Sequence, residues 1–222
     1  LVAEILRDPV FPAEEFNVLK KEELAQYEQQ LSDPQALAFN SVMRRLSPWP
    51  ADDVRYVPTI AESIERLKAV TLDDVKNVYK KLYGASTGEF AAVGDFDESA
   101  VNNTIQELLG NWKSPVKFAR IATPCRKDCK TGEEIIYTAD KKMAIVGAGL
   151  TIEMRDDDPE YPALHVANHV LGSSAKSRLL NRLRQKEGLS YGAGSFFSAD
   201  DMDKRAMLMG YGICATENAN RA

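Results

Sequence analysis

The amino-acid sequence predicts an α+β fold composed of two half-units, each a mixed, mainly antiparallel sheet with helices packed on one face. Three observations lead to this class. Apolar residues recur at helical spacing through the first third of the chain, a short strand pattern separates two helical patterns near the middle, and two strand patterns flank a polar turn near the end. Helices and strands in this succession are typical of helices packed as a layer on a sheet.

Length and composition are those of an ordinary globular protein. The 222 residues can bury a substantial core, as one large domain or as two half-sized units. A net charge of −5 gives no electrostatic reason to expect nucleic acid or an anionic membrane as partner. The longest apolar run, near Met143–Ile152, is interrupted by glycines and is too short to span a bilayer. Leu1 opens inside an amphipathic pattern without a signal peptide, so we expect the chain to be a fragment of a longer protein.

Residues 1–112 are predicted to form the first half-unit and to be mainly helical. Pro12 suits the first turn of a helix, which Ser32-Asp33-Pro34 ends. Thr71-Leu72-Asp73-Asp74 has the form of a capping box, and Asp97 precedes a helix that Gly110 ends. The remaining predicted elements are a helix from Pro34 towards Leu46, a short helix over Ser63–Val70, a helix from Thr71 to Gly84 and a strand over Glu89–Gly94.

Residues 113–131 are predicted to be a linker, because they are basic and show no steady periodicity. A basic stretch of this length is usually solvated and does not indicate nucleic-acid binding. Cys125 and Cys129 lie four residues apart in it, and Cys214 lies in a strand pattern. Zinc sites built on paired cysteines need a second pair or histidines at matching spacing, and none follow. Cys125 and Cys129 therefore form either a local disulfide or two free thiols.

Residues 132–222 are predicted to form the second half-unit. Strands are expected near Glu134–Thr138 and Met143–Ile152, and a helix from about Glu160 to Leu171 ends at Gly172. A further helix holds Leu179, Leu180 and Leu183 and ends at Gly188. Leu189–Ser198 and Arg205–Ala215 then form a hairpin, in which Met207, Met209, Tyr211 and Ile213 share one face. The same pleat gives Tyr191 the alternate neighbours Leu189 and Ala193.

The two histidines of the chain, His165 and His169, lie four residues apart on a predicted helix, as a metal-binding pair does. The inverted zinc-protease motif is His-x-x-Glu-His, in which the glutamate takes a proton from zinc-bound water. Here Asn168 holds that position, and an amide cannot act as the base. Two imidazoles are also one ligand short. We therefore expect no catalytic residue and no metal site in this chain, with His165 and His169 as the only metal candidates. If the two histidines bind no metal, they flank a core-facing stripe formed by Tyr161, Leu164, Ala167 and Leu171.

The segment from Ser177 to Gly192 closely resembles a stretch of the pitrilysin/insulinase family of zinc metallopeptidases, which includes proteins similar to the mitochondrial processing peptidase. Thr71–Tyr83, Ala92–Asp97 and Asp8–Pro12 are similar to further segments of that family, so the resemblance covers most of the chain. In the family an arginine near a helix end and a tyrosine seven residues later reach towards the substrate, opposite the zinc. By position these residues are Arg184 and Tyr191. The resemblance thus implies that Arg184 and Tyr191 bind substrate.

The resemblance implies a non-catalytic, C-terminal type of module from a zinc metalloendopeptidase. The chain would hold the back half of one family module in 1–112 and the truncated front half of the next in 132–222. It would form part of the wall of a proteolytic chamber for peptide substrates, while a catalytic module in the same or another chain supplies zinc and base. Two alternatives stay open: a structural or assembly member of the family without peptidase activity, and an independent metal hydrolase using His165 and His169. We expect a soluble protein, in the bacterial periplasm or cytoplasm.

Overall fold

A computed structural model describes residues 2–129, 131–139 and 141–221 of the chain. Helices fill the first half, and a three-stranded sheet with further helices fills the second. The helices are α1 (Val2–Arg7), α2 (Ala13–Gln30), α3 (Pro34–Leu46), α4 (Ile60–Ala69), α5 (Leu72–Leu82), α6 (Glu98–Leu109), α7 (Tyr161–Leu171) and α8 (Arg178–Leu180), with a π-helix at Asn181–Lys186 and a 3-10 turn at Thr216–Asn218. The strands are β1 (Met143–Ile152), β2 (Ser190–Ala199) and β3 (Ala206–Ala215). None of the helices in the described part is long and apolar enough to cross a membrane.

The described residues form two compact units. Unit 1 comprises the chain up to Leu24 together with Arg66–Ile121. Unit 2 comprises Ala25–Glu65 together with the chain from Ala122 onward. The predicted partition into 1–112, a linker of 113–131 and 132–222 concerns the modules of a longer protein and stays a prediction.

The helix starts follow local capping chemistry. The Asp33 carboxylate accepts hydrogen bonds from the first backbone N–H groups of α3, and the predicted capping box at Thr71 and Asp74 opens α5. Helix α4 begins at Ile60, three residues before the predicted start. Thr59 and Glu62 form a second capping box there, because Thr59 N–H donates to Glu62 Oε2 at 2.7 Å and Glu62 N–H donates to Thr59 Oγ1 at 3.1 Å. The hydrogen bond from the Thr59 N–H, together with those from the Tyr56 and Thr59 hydroxyls, lowers the pKa of the Glu62 carboxyl.

Unit 1 has an aromatic cluster at its centre, formed by Phe11, Tyr79, Tyr83 and Trp112. The predicted strand over Glu89–Gly94 is wrong, since 89–93 has no regular structure and Val93 is fully exposed. A strand needs a neighbour for its backbone N–H and C=O groups, and no described residue pairs with this segment. The local sequence alone could not reveal that missing neighbour.

Unit 2 contains the sheet, in the order β1-β3-β2 with both pairs antiparallel. The predicted hairpin of β2 and β3 is confirmed. Strand β3 keeps an unbroken register with β1, so its alternate residues share a face as predicted. The predicted strand over Glu134–Thr138 is wrong: this segment is irregular, and Ile135 and Tyr137 are both 88% exposed.

Helices cover both faces of this sheet. Tyr161 of α7 packs on Phe197 of β2 with ring centroids 5.7 Å apart, and Phe39 of α3 packs on Tyr211 of β3 at 6.0 Å. Phe197 pairs with Leu208, which lies three residues before Tyr211 and therefore on the opposite face of the pleat. The predicted α+β class is confirmed. Its details differ, because the sheet has helices on two faces and the described part of unit 1 contains no sheet.

The second half of the predicted linker packs against unit 2 and is not solvated throughout. The guanidinium groups of Arg55 and Arg126 lie 3.5 Å and 4.3 Å from the ring centroid of Trp49. Thr123 N–H donates to Asp203 Oδ2 at 2.6 Å. Arg55 also hydrogen-bonds Asp53 and lowers the pKa of that carboxyl to about 2. These contacts hold Thr123 on the turn between β2 and β3 and Arg126 on the loop that follows α3.

Cys125 and Cys129 are two free, half-buried thiols, which is one of the two states that the sequence left open. Burial raises the pKa of the Cys129 thiol, and Cys129 Sγ lies 3.5 Å from the carbonyl oxygen of Leu46 at the end of α3. Cys214 is buried in β3.

Candidate functional site

The candidate site is built on the segment from Ser177 to Gly192 in unit 2. Helix α8 continues directly into the π-helix Asn181–Lys186, in which the N–H of Glu187 donates to the carbonyl of Arg182, five residues back, at 3.1 Å. Such wide turns are rare and occur frequently at functional sites. Arg184 lies inside this π-helix and is exposed.

Gly188 ends the helix in the left-handed conformation, with φ of 62°. The N–H of Leu189 then donates to the carbonyl of Leu183 at 2.9 Å, and the Leu189 side chain is buried. On the outer side, Arg182 forms an ion pair with Glu187 at 2.8 Å. This reversal carries the chain from the π-helix directly into β2.

A β-bulge sits at the start of β2. Ser190 lies opposite Cys214, and Gly192 lies opposite Ile213, so Tyr191 is an extra residue without a partner on β3. The pleat alone predicts that Tyr191 shares a face with its alternate neighbours Leu189 and Ala193. Both neighbours are buried whereas Tyr191 is 67% exposed, because the bulge breaks the alternation at this point.

Arg184 and Tyr191, the two residues singled out by the sequence, both lie on the surface of this segment. Within the described part of the chain, neither the Arg184 guanidinium nor the Tyr191 phenol has a hydrogen-bond or ion-pair partner. The position beside Tyr191 is also open, since no heavy atom outside Tyr191, Gly192 and Ala193 lies within 4 Å of the place where a Cβ on Gly192 would stand. The chain thus presents two unengaged donor groups next to free space.

Helix α7 places its histidines differently. His165 and His169 are exposed, whereas Asn168 between them is only 6% exposed and accepts a hydrogen bond from Ser195 Oγ of β2 at 2.7 Å. The predicted core-facing stripe is wrong at two positions, because Ala167 and Leu171 are exposed. The helical periodicity predicted that Ala167 faces the core, but the buried residue at this point is Asn168. The residue at the base position of the motif is therefore a packed structural group.

The metal-binding side chains of the described residues do not fit zinc. Among the described residues, no group of three or more His, Cys, Asp and Glu side chains could hold a metal ion. A zinc site needs at least three protein ligands. His165 and His169 supply two, and Asn168 is engaged with the sheet.

Sequence reasoning missed Ser190 and the π-helix. A signal for the bulge was present, because Gly192 and Gly194 interrupt a strand pattern, and an isolated glycine in a strand often marks a bulge. The π-helix left no such signal: Asn181–Lys186 has an ordinary helical composition.

Asparagine at the base position of an inverted zinc-protease motif is the substitution expected of an inactive metallopeptidase domain, because an amide cannot act as the base. Residues 69–222, more than half of the chain, match the family described as the peptidase M16 inactive domain. The chain belongs to this family, and the resemblance to pitrilysin/insulinase-like zinc metallopeptidases is confirmed.

Two curated relatives agree with this assignment. The chain is 24% identical over 198 residues to a protein of Bacillus subtilis named probable inactive metalloprotease YmfF, covering 86% of the chain and 46% of the relative. It is 26% identical over 140 residues to an uncharacterized zinc protease of Streptomyces coelicolor, covering 61% of the chain and 30% of the relative. The chain thus spans less than half the length of either relative.

Solved structures show the same fold. A peptidase M16 inactive domain from Pseudomonas fluorescens superimposes with a TM-score of 0.67 at 25% identity, over 97% of the chain and 50% of that structure. A protease from Helicobacter pylori gives a TM-score of 0.73 at 14% identity, over 91% of the chain and 48% of that structure. These structures, too, are about twice as long as the chain.

Proposed function

We propose that this inactive domain forms part of the wall of a proteolytic chamber and binds the main chain of a peptide substrate through Arg184 and Tyr191. The observation that carries the proposal is the outward presentation of Tyr191 at a bulge, beside the open position at Gly192. Neither its phenol nor the Arg184 guanidinium is used within the described residues, so both are available to a ligand.

The two groups suit a peptide carbonyl. A phenol donates one hydrogen bond, and a guanidinium donates from a planar fork. Both can hold a carbonyl oxygen while it gains negative charge during attack on the peptide bond. They supply no nucleophile and no base, so zinc and the catalytic glutamate come from a module of the same family in the same or another chain.

The whole protein carrying both modules tests this function. Tyr191→Phe preserves volume and removes one donor, so we expect kcat to fall about a hundredfold. Arg184→Lys keeps the charge and loses the planar fork, so its activity should also fall well below wild type. Peptide hydrolysis measures both effects, with circular dichroism to confirm folding.

Matched controls lie close by. Arg182→Lys changes another exposed arginine of the same π-helix, and Tyr137→Phe removes another exposed phenol of unit 2. Both should leave kcat within about twofold of wild type. A folded Tyr191→Phe variant that hydrolyses peptide as fast as wild type would show that Tyr191 has no role in the reaction.

A second candidate is a structural family member without peptidase activity, which the name of the Bacillus subtilis relative favours. This candidate requires that the parent protein and its partners lack a complete His-x-x-Glu-His sequence. Finding that sequence intact, together with hydrolysis that a chelator abolishes, would exclude the structural role.

A further inference from the structure

The bulge at Tyr191 depends on the hydroxyl group of one buried residue. Ser190 is 7% exposed, and its Oγ lies 2.7 Å from the carbonyl oxygen of Ile213 on β3 and 2.6 Å from that of Gly192. The N–H of Gly192 donates to the same oxygen at 3.2 Å. The hydroxyl has a single proton, which it donates to one of the two carbonyl oxygens at a time, while it accepts the hydrogen bond from the Gly192 N–H.

These contacts span the place where the ladder is interrupted. A bulge leaves backbone groups of the extra residue and its neighbours without their usual partners. The Ser190 hydroxyl joins the strand before the extra residue to the strand after it, and joins both to β3. Without it, the register at the start of β2 could slip by one residue, which would turn Tyr191 towards the face on which Ala193 is buried.

We propose that Ser190 is a positioning residue, whose side chain holds the bulge that points Tyr191 at the substrate. The expected effect of Ser190 on activity rests on the proposed function of Tyr191. The expectation that Ser190 holds the bulge does not. Ser190 itself touches no substrate, because its side chain is buried.

The test uses the whole protein and four variants: Ser190→Ala, Ser190→Thr, Tyr191→Phe and the double variant Ser190→Ala with Tyr191→Phe. We expect Ser190→Ala to lower kcat at least tenfold with a smaller change in KM. Ser190→Thr keeps the hydroxyl and should restore kcat to within about threefold of wild type. Because Ser190 acts through the phenol, Ser190→Ala should lower kcat little further once Tyr191 is already phenylalanine.

Ser195→Ala is the matched control. Ser195 is also a buried serine of β2 with a 2.7 Å hydroxyl hydrogen bond, but that bond goes to Asn168, away from the bulge. We expect the two alanine variants to lose similar thermal stability and only Ser190→Ala to lose kcat. Equal losses of kcat in both variants, or the same loss from Ser190→Ala with and without the phenol, would overturn the proposal.

Hydrogen exchange separates this proposal from the function of Tyr191. The Gly192 amide donates to Ser190 Oγ, so it should exchange faster in Ser190→Ala while amides in the rest of β2 keep their protection. If Tyr191→Phe leaves hydrolysis unchanged, the proposed function fails and the exchange rate alone decides the positioning role. Faster exchange at Gly192 then supports it, and unchanged exchange overturns it.

Discussion

Helix α7 and the segment 178–192 lie next to each other along the chain, and the sequence singled out both. Helix α7 carries the two histidines, but it is regular, and its motif position Asn168 is bonded to the sheet. The segment 178–192 departs from regular structure twice, at the π-helix and at the bulge, and presents Arg184 and Tyr191 outward. In α7 the residue at the base position of the motif is therefore part of the packing, whereas the irregular backbone of 178–192 carries the candidate site.

The glycines of the two regions show the same difference. A Cβ on Gly172, at the end of α7, would lie 2.3 Å from both the backbone nitrogen and Oγ of Ser195. Cβ atoms on Gly188 and Gly192 would meet nothing within 4 Å. Helix α7 is therefore closely packed on β2, and the segment 178–192 borders open space.

The largest expected loss of stability comes from a substitution at the closely packed end of α7. Gly172→Ala forces the end of α7 away from backbone atoms of β2, so we expect the free energy of unfolding to fall by about 3 kcal/mol. Gly172 has φ of −153°, an ordinary value for any residue, so the loss is steric. Chemical denaturation measures it. Gly192→Ala, the control, should change stability by less than about 1 kcal/mol. Similar losses in the two variants would remove the distinction between the regions.

The next effect concerns Asn168. Asn168→Glu completes the letters of the zinc motif but places a longer, acidic side chain in a buried site, so we expect about 2 kcal/mol of destabilisation at neutral pH. Burial raises the pKa of such a carboxyl in the folded state. The part of the destabilisation that comes from the charge is therefore absent below the unfolded-state pKa. It grows as the pH rises towards the folded-state pKa. Unfolding measured as a function of pH tests this sign.

The matched control and the activity assay sharpen that prediction. Val166→Glu adds the same acid at a position of α7 that is 63% exposed, and should change stability little at any pH. Asn168→Glu alone should hydrolyse no peptide, because the third zinc ligand is still missing. Hydrolysis by this variant that a chelator abolishes would show that His165 and His169 belong to a complete site.

The sequence predicted those features that local chemistry determines. Helix α5 follows its capping box, and the hairpin of β2 and β3 follows its alternation and polar turn. The predicted strands over 89–94 and 134–138 were wrong because a strand depends on a partner elsewhere in the chain, which the local sequence does not show. For the candidate site, the family resemblance pointed to Arg184 and Tyr191, whose roles stay a proposal, and their place on the surface includes a bulge and a wide helical turn. Both irregularities involve contacts between residues of different elements, such as the hydrogen bond of Ser190 with Ile213 on β3, which the local sequence does not contain.

The smallest expected loss of stability is at Gly188, where the backbone conformation disfavours a side chain although there is room for one. Gly188 has φ of 62°, where a Cβ clashes with its own backbone, although the surroundings leave room for it. Gly188→Ala should therefore cost about 1 kcal/mol in unfolding free energy, and Gly188→Asn less, because asparagine tolerates the left-handed region better. If the reversal at Gly188 also fixes the direction in which β2 starts, Gly188→Ala should speed exchange of the Leu189 amide, which donates to Leu183. A loss of about 3 kcal/mol, as expected for Gly172→Ala, would mean that Gly188 is packed as closely as α7 and that the two regions do not differ in this respect.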